Sequence, residues 1–376
     1  MASLLPDVDP DGLLEYSVVF TDRVLNHMST RFQVAMRDLD ARLRTVYNAS
    51  AVAVVPGGGT FAMEAVARQL ATDQHCVIVR NGWFSFRWSQ ILEAGKMAAS
   101  TTVLTARPET DHPQAAFAPP PIDVVCSTIA AQRPAVVFAP HVETSAGMIL
   151  SEDYIRAMAD AVHAVGGLLV LDCVASGAAW IDMAAAGVDV LISAPQKTWS
   201  APPSCGLVML SAAGRARVEQ TQSSSFAANL HRWMQIVDTY RSGGHAYHAT
   251  LPTDALCGLR DAMEEAMNGG LDALSDAQWR LGREIRAVLA ERGYPSVAAP
   301  GFEAPGVVVC HTTNPDLHRG AAMAAVGVQI AGGVPLRCGE AAGFMTFRIG
   351  LFGLDKLQNV DRTVRLFTEA LDRMSV

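Results

Sequence analysis

The chain has 376 residues, half of them hydrophobic and 18% charged, which excludes intrinsic disorder and leaves ample material for a buried core. Its formal net charge of −8 is spread along the sequence, with no basic cluster suited to nucleic acid and no polybasic run suited to a membrane surface. No apolar run reaches membrane-spanning length, the opening MASLLPDVDPDGLLEY is acidic and proline-broken unlike a secretory signal, and the closing DRMSV carries no peroxisomal or retention signal.

Residues 1–29 read as an irregular arm, and 30–47 (TRFQVAMRDLDARLRTVY) as an amphipathic helix. From about residue 50 to 211, short apolar runs alternate with helical patterns. The runs are AVAVVPG (51–57), CVIVRNG (76–82), STTVLTA (100–106), AVVFAP (135–140), GGLLVLDC (166–173), VDVLISAP (188–195) and CGLVML (205–210). Runs apolar on both faces suit the strands of a mostly parallel, seven-stranded sheet covered by helices. Between them, TFAMEAVARQLA and SEDYIRAMADAVHAVG repeat apolar residues at helical spacing, the second opening on Ser151 as an N-cap. This alternation predicts an α/β domain whose ligand lies beyond the carboxyl ends of the strands. Past residue 255 come long helical patterns (254–293), a short strand GVVVC (306–310), another helix and FRIGLFG, a smaller α+β unit. The expected division is an arm (1–29), a large domain (30–255) and a small C-terminal domain (256–376). The seven cysteines (76, 126, 173, 205, 257, 310 and 338) are scattered and odd in number, with no CxxC pair. Reduced thiols in a cytoplasmic protein are therefore expected, with neither a disulfide frame nor a metal site.

Asp172 ends one apolar run and Lys197 follows the next, so both should stand at the mouth of the sheet. For a pyridoxal cofactor they do complementary work. The lysine amine binds the aldehyde as a Schiff base and, once displaced, moves a proton. The aspartate keeps the pyridinium nitrogen protonated, so that the ring accepts carbanion electrons. In VVPGGGTFAMEAVA a strand ends in Gly57, Gly58 and Gly59 and a helix opens at Thr60, a turn whose backbone can approach an anion. It is neither a Walker loop nor a dinucleotide fingerprint.

These residues, in this order, resemble the class V aminotransferases of fold type I, particularly the alanine–glyoxylate and serine–pyruvate subgroup, over residues 50–352. SAPQKTW is similar to that subgroup's Ser-x-x-Gln-Lys motif, which implies Lys197 on the cofactor aldehyde and Gln196 on its phosphate. LDCVAS implies Asp172 at the ring nitrogen and Val174 against the ring face. GGGTFAME implies Gly58, Gly59 and Thr60 as phosphate donors. RNGWFSFR resembles an Asn-Gly-x-aromatic-x-x-Arg segment, whose spacing makes Phe84, not Trp83, the residue that stacks on the ring. HVETSAGMI implies Thr144 near the phenolic oxygen, with His141 a structural neighbour. GGHAYHATLPT resembles a Tyr-x-x-Thr-x-Pro loop, implying that Tyr247 and Thr250 serve the partner's site in a homodimer. TFRIGLFG resembles an Arg-Ile-Gly-x-x-Gly motif, implying that Arg348 grips the substrate carboxylate, a task its planar fork suits.

The resemblance implies pyridoxal 5'-phosphate as cofactor and ping-pong transamination from a small amino acid to a 2-oxo acid such as glyoxylate or pyruvate. The stretch LLEYSVVFTDRVLNHMSTRF departs from the subgroup's Gly-Pro-Thr-Pro-type opening, which bears on substrate identity. Alternatives of the same fold are an aminophosphonate transaminase and a carbon–sulfur lyase or cysteine desulfurase, the last with Cys338 as nucleophile. A non-catalytic phosphate-binding protein has no need of Lys197 and Asp172, and a nicotinamide dehydrogenase lacks its glycine fingerprint here.

Overall fold

The computed structural model describes residues 8–374; the expectations for residues 1–7 of the arm and for the last two residues lie outside the described part. The seven apolar runs are the seven strands of one sheet: β1 (Ala51–Pro56), β2 (His75–Arg80), β3 (Ser100–Thr105), β4 (Val136–Pro140), β5 (Leu168–Asp172), β6 (Val190–Ser193) and β7 (Cys205–Leu210). Their order is β1-β7-β6-β5-β4-β2-β3. Neighbours from β6 to β3 pair in parallel, whereas β7 runs antiparallel to both β1 and β6. The reversal has a local cause. Residues 194–204, between β6 and β7, hold one helical turn, too little for the crossover that a parallel return requires. Strands β4 to β7 are buried at every residue, while β3, at the edge, is partly exposed.

The first helix, α1, runs Thr30–Tyr47; Ser29 caps its start by accepting from the Phe32 N–H, and Asn48 ends it in the left-handed region at φ 54°. Described residues before it form turns and bends without helix or strand. Two helices, α2 (Gly59–Leu70) and α3 (Trp83–Gly95), start directly at the carboxyl ends of β1 and β2. Trp88 of α3 stacks on Phe138 of β4 with ring centroids 4.2 Å apart, both fully buried, which fixes the helix against the sheet. Residues 211–252, to which the sequence pattern assigns no element, hold the helices Ala212–Gln220 and Leu230–Arg241. The long pattern at 254–293 is two helices, Thr253–Gly269 and Leu271–Glu291, divided at Gly270, whose φ of +87° suits glycine. A second, antiparallel sheet orders Val307–His311, Thr346–Gly350 and Ala331–Gly332, with Thr346–Gly350 in the centre. No helix among the described residues is long and apolar enough to cross a membrane.

Candidate active site

The carboxyl ends of β1, β2, β4, β5 and β6 open on one edge of the sheet, and the residues of interest gather there. At the end of β1 the chain turns through Gly57, at φ +120°, into α2. A Cβ on Gly59 would sit 2.6 Å from Cγ2 of Val174, whereas one on Gly58 would meet nothing within 4 Å. The turn therefore packs on Val174 on one side and leaves open space on the other. The Gly58 carbonyl accepts the first helical bonds, from the Phe61 and Ala62 N–H groups. The N–H groups of Gly58, Gly59 and Thr60 donate to no acceptor among the described residues, the usual condition of a helix start. Three successive N–H donors without acceptors, at a helix start with open space beside Gly58, suit a phosphate.

Asp172, the last residue of β5, is buried, and its Oδ1 accepts from the Val174 N–H at 3.0 Å. Burial pushes its carboxyl up to about 6; the Val174 N–H, Lys197 and Arg87 oppose that rise and Glu143 adds to it. A carboxyl raised in this way holds its proton more tightly folded than unfolded. Stability of the cofactor-free protein is then lost as pH rises from about 4 to about 6, and no further above that. Cofactor-free Asp172→Asn is therefore expected to be the more stable protein at pH 8, by on the order of 1–3 kcal/mol in denaturant melts, with the difference closing near pH 4. An equal difference at both pH values would contradict the assigned burial of charge.

Lys197 follows β6 on a single helical turn, Pro195–Thr198. Its Nζ lies 5.7 Å from the Phe84 ring centroid and 5.8 Å from that of Phe352. Burial lowers its pKa, as do Arg348 and Arg87, against the pull of Asp172 and Glu143. A lowered lysine has a larger fraction of the free amine that nucleophilic chemistry requires. Arg348, in the central strand of the small sheet, places its guanidinium 5.5 Å from the same Phe84 ring, and its Nε donates to the Gly332 carbonyl at 2.8 Å. No carboxylate among the described residues pairs with it. Phe84 is thus the common neighbour of Lys197, Arg348 and Arg87, the last with its guanidinium 5.2 Å away. Thr144 is buried with its hydroxyl unpartnered among the described residues, a donor available to a ligand oxygen.

Glu143, Arg87 and Phe352 sit inside motifs read in the sequence but received no role there. The Glu143 carboxylate is buried and accepts from the N–H groups of Phe84 (3.2 Å) and Ser85 (2.8 Å), from the Ser85 hydroxyl (2.7 Å), and from the N–H (3.0 Å) and hydroxyl (2.7 Å) of Ser145. It caps α3 with a full negative charge at the positive helix end, and so fixes where Phe84 stands. The one acid in the stretch AVVFAPHVETSAGMIL was the available signal, because a buried carboxylate needs such partners. His141 is buried, its Nδ1 lies 2.7 Å from the Ser176 hydroxyl, and burial drives its pKa down to about 4, so it is neutral at pH 7.

Two expected groups are not joined to this cluster. Gln196 is exposed and lines a surface hollow with Ser200, Phe352 and Lys356; no hydrogen bond ties it to the glycine turn. Tyr247 and Thr250 hydrogen-bond one another at 3.2 Å, with Tyr247 beside His27, and neither bonds to the cluster within the protomer.

The model of the family Aminotransferase class-V matches residues 13–344. The chain belongs to this family. A 2-aminoethylphosphonate–pyruvate transaminase of Paraburkholderia xenovorans is 30% identical over 342 residues, covering 89% of this chain and 86% of that protein. The alanine–glyoxylate aminotransferase of Callithrix jacchus is 26% identical, covering 93% and 82% of the two chains. Among solved structures, an alanine–glyoxylate aminotransferase from Nostoc sp. shares the fold at a TM-score of 0.79 and 21% identity, covering 94% of this chain and 89% of that one. The protein is thus a pyridoxal-phosphate-dependent class V aminotransferase of fold type I. The residues present fit the cofactor: orphan N–H donors and the open side of Gly58 suit the phosphate, the buried Asp172 carboxyl suits a ring nitrogen, and the Lys197 amine beside the Phe84 ring suits an aldehyde.

Proposed function

We propose that this class V aminotransferase moves the amino group of a small amino acid to a 2-oxo acid, glyoxylate or pyruvate, in two half-reactions that use one site in turn. The observation that carries this is Arg348: a half-buried guanidinium with no carboxylate partner among the described residues, beside the Phe84 ring that Lys197 also faces. Both an α-amino acid and a 2-oxo acid present a carboxylate next to the reacting carbon, and a planar fork grips either.

Pyridoxal phosphate, when bound, supplies an electron sink conjugated with the substrate amine. Gly58, Gly59 and Thr60 would hold its phosphate, Phe84 and Val174 would pack against the ring, and Thr144 would donate to the phenolic oxygen. Asp172 keeps a proton on the ring nitrogen; an adjacent cation returns its carboxyl to the ionised state against the effect of burial. Arg348 orients the donor so that its Cα hydrogen faces Lys197. The Lys197 amine, whose burial favours the uncharged form, would take that proton and later give it back. The rings of Phe84 and Phe352, centred 5.7 and 5.8 Å from the amine, restrict water around it.

Tyr247 and Thr250, apart from the site in their own protomer, are proposed to reach the partner's cofactor phosphate in a homodimer. The exposed Tyr16, Phe61, Phe226 and Tyr247 give a second subunit apolar surface to cover. A cytoplasmic location accords with the seven free cysteines.

Desulfurase chemistry is disfavoured at Cys338. Its Sγ lies 3.4 Å from the Arg80 carbonyl, and burial with nearby Glu143 and Glu340 pushes the thiol up to about 12, so the nucleophilic thiolate is scarce at neutral pH. A second donor, 2-aminoethylphosphonate, is favoured by the relative at 30% identity whose name carries that substrate. A donor screen decides between them. L-alanine, L-serine and 2-aminoethylphosphonate are each mixed with the enzyme, and loss of the cofactor's visible band is followed. Bleaching by the amino acids supports the main reading; bleaching by the phosphonate alone replaces it, and bleaching by none overturns both.

A further inference from the structure

Phe84 and Arg87 stand one turn apart on α3 and so share a face of the helix. That face looks onto the start of α2: Arg87 Nη1 donates to the Thr60 hydroxyl at 2.8 Å, and its guanidinium carbon lies 5.2 Å from the Phe84 ring centroid. We infer that Arg87 is the counter-charge of the cofactor phosphate, acting through Thr60, and that it sets the preference for a phosphorylated over a non-phosphorylated pyridoxal.

The inference rests on the assignment of the glycine turn to the phosphate and extends it by one residue. A guanidinium donates and never accepts, so the Thr60 oxygen is the acceptor of this bond and keeps its own hydrogen free to point elsewhere. On the open side of the turn the N–H groups of Gly58, Gly59 and Thr60 also have no acceptor among the described residues. A phosphate monoester brings a charge of about −1.5 to −2, whereas a helix N-terminus offers only about +0.5. The turn by itself leaves most of that charge unmatched, and Arg87 brings a full positive charge to it.

Arg87 is also uncommitted elsewhere. Arg44, Arg68, Arg215 and Arg241 each pair with an acid within 4 Å, whereas no acid among the described residues pairs with Arg87. The two arginines beside Phe84 are held to different elements, Arg87 to Thr60 of α2 and Arg348 to Gly332 of the small sheet. That difference assigns Arg87 to the cofactor phosphate and leaves Arg348 for the substrate.

The test is a pair of titrations on the full-length chain freed of cofactor, one with pyridoxal 5'-phosphate and one with pyridoxal, each read from the absorbance of the bound ring. Wild type should bind the phosphorylated form more tightly. Arg87→Leu should weaken that form by roughly 10- to 100-fold and leave pyridoxal binding unchanged, which also shows that the variant is folded. Arg87→Lys, keeping the charge but not the fork, should recover part of the loss. Equal losses for the two ligands would make Arg87 a structural residue and overturn the inference. Unchanged cofactor affinity with a raised KM for the amino donor would overturn it too, by giving Arg87 to the substrate. A wild type that does not distinguish the two ligands would remove the phosphate from the glycine turn itself, and the inference with it.

Discussion

Lys197→Ala is expected to lower kcat by at least about 10⁴-fold while the protein still binds pyridoxal phosphate. The side chain combines two duties that nothing else near it can assume. It is the one amine among the cations placed around the Phe84 ring in the described residues; the others are Arg87 and Arg348, whose guanidinium groups do not give up protons at physiological pH. Asp172 faces the ring nitrogen rather than the donor Cα in the proposed arrangement, and His141 is bound to Ser176. The proposed phosphate donors of the turn are untouched by the substitution, so cofactor absorbance should remain. Borohydride should attach the cofactor to wild type at Lys197, detected by peptide mass, and should fail to attach it to the variant. A variant that keeps a substantial part of wild-type turnover would remove Lys197 from the mechanism.

Arg348→Leu should cost roughly 10²- to 10³-fold in kcat/KM for amino acid donors, mostly through KM. The size follows from losing a bidentate, charge-assisted contact in a half-buried place, where water replaces it poorly. Arg348→Lys should recover only part, since a point charge lacks the fork. Arg348 also donates through Nε to Gly332, so the substitution removes one strand-to-strand bond. Donors that lack a carboxylate separate the two effects. A simple amine should lose little with Arg348→Leu if the arginine reads the substrate, and should lose as much as an amino acid if the arginine only supports the sheet.

Much of this site is legible in local sequence. Each of the seven strands lies within one or two residues of an apolar run, because a buried parallel strand must be apolar on both faces. Asp172 and Lys197 are readable for a related reason: a polar residue that ends such a run stands at the sheet's mouth. The Gly57–Thr60 turn is legible because few side chains tolerate φ +120° or the closeness of Val174. Glu143 is harder. Its partners Phe84 and Ser85 are 59 and 58 residues away, and nothing in the spacing of either segment records the other. Phe352 is harder still, since an aromatic two residues beyond a strand has no local signature of facing Lys197.

The sequence by itself determined the seven strands, the acid and the lysine at two strand ends, the glycine turn, and the family to which these belong. These follow from period, burial and backbone freedom, which act over a few residues. The tertiary structure alone decided that β7 enters antiparallel between β1 and β6, which sets the glycine turn and Lys197 on strands two places apart. It alone brought Arg348 from the small sheet to the phenylalanine ring that Arg87 shares by helical spacing and whose position Glu143 fixes. Strand order and the docking of the small sheet are set by which faces bury each other best across the whole chain, and local periodicity carries no record of that choice.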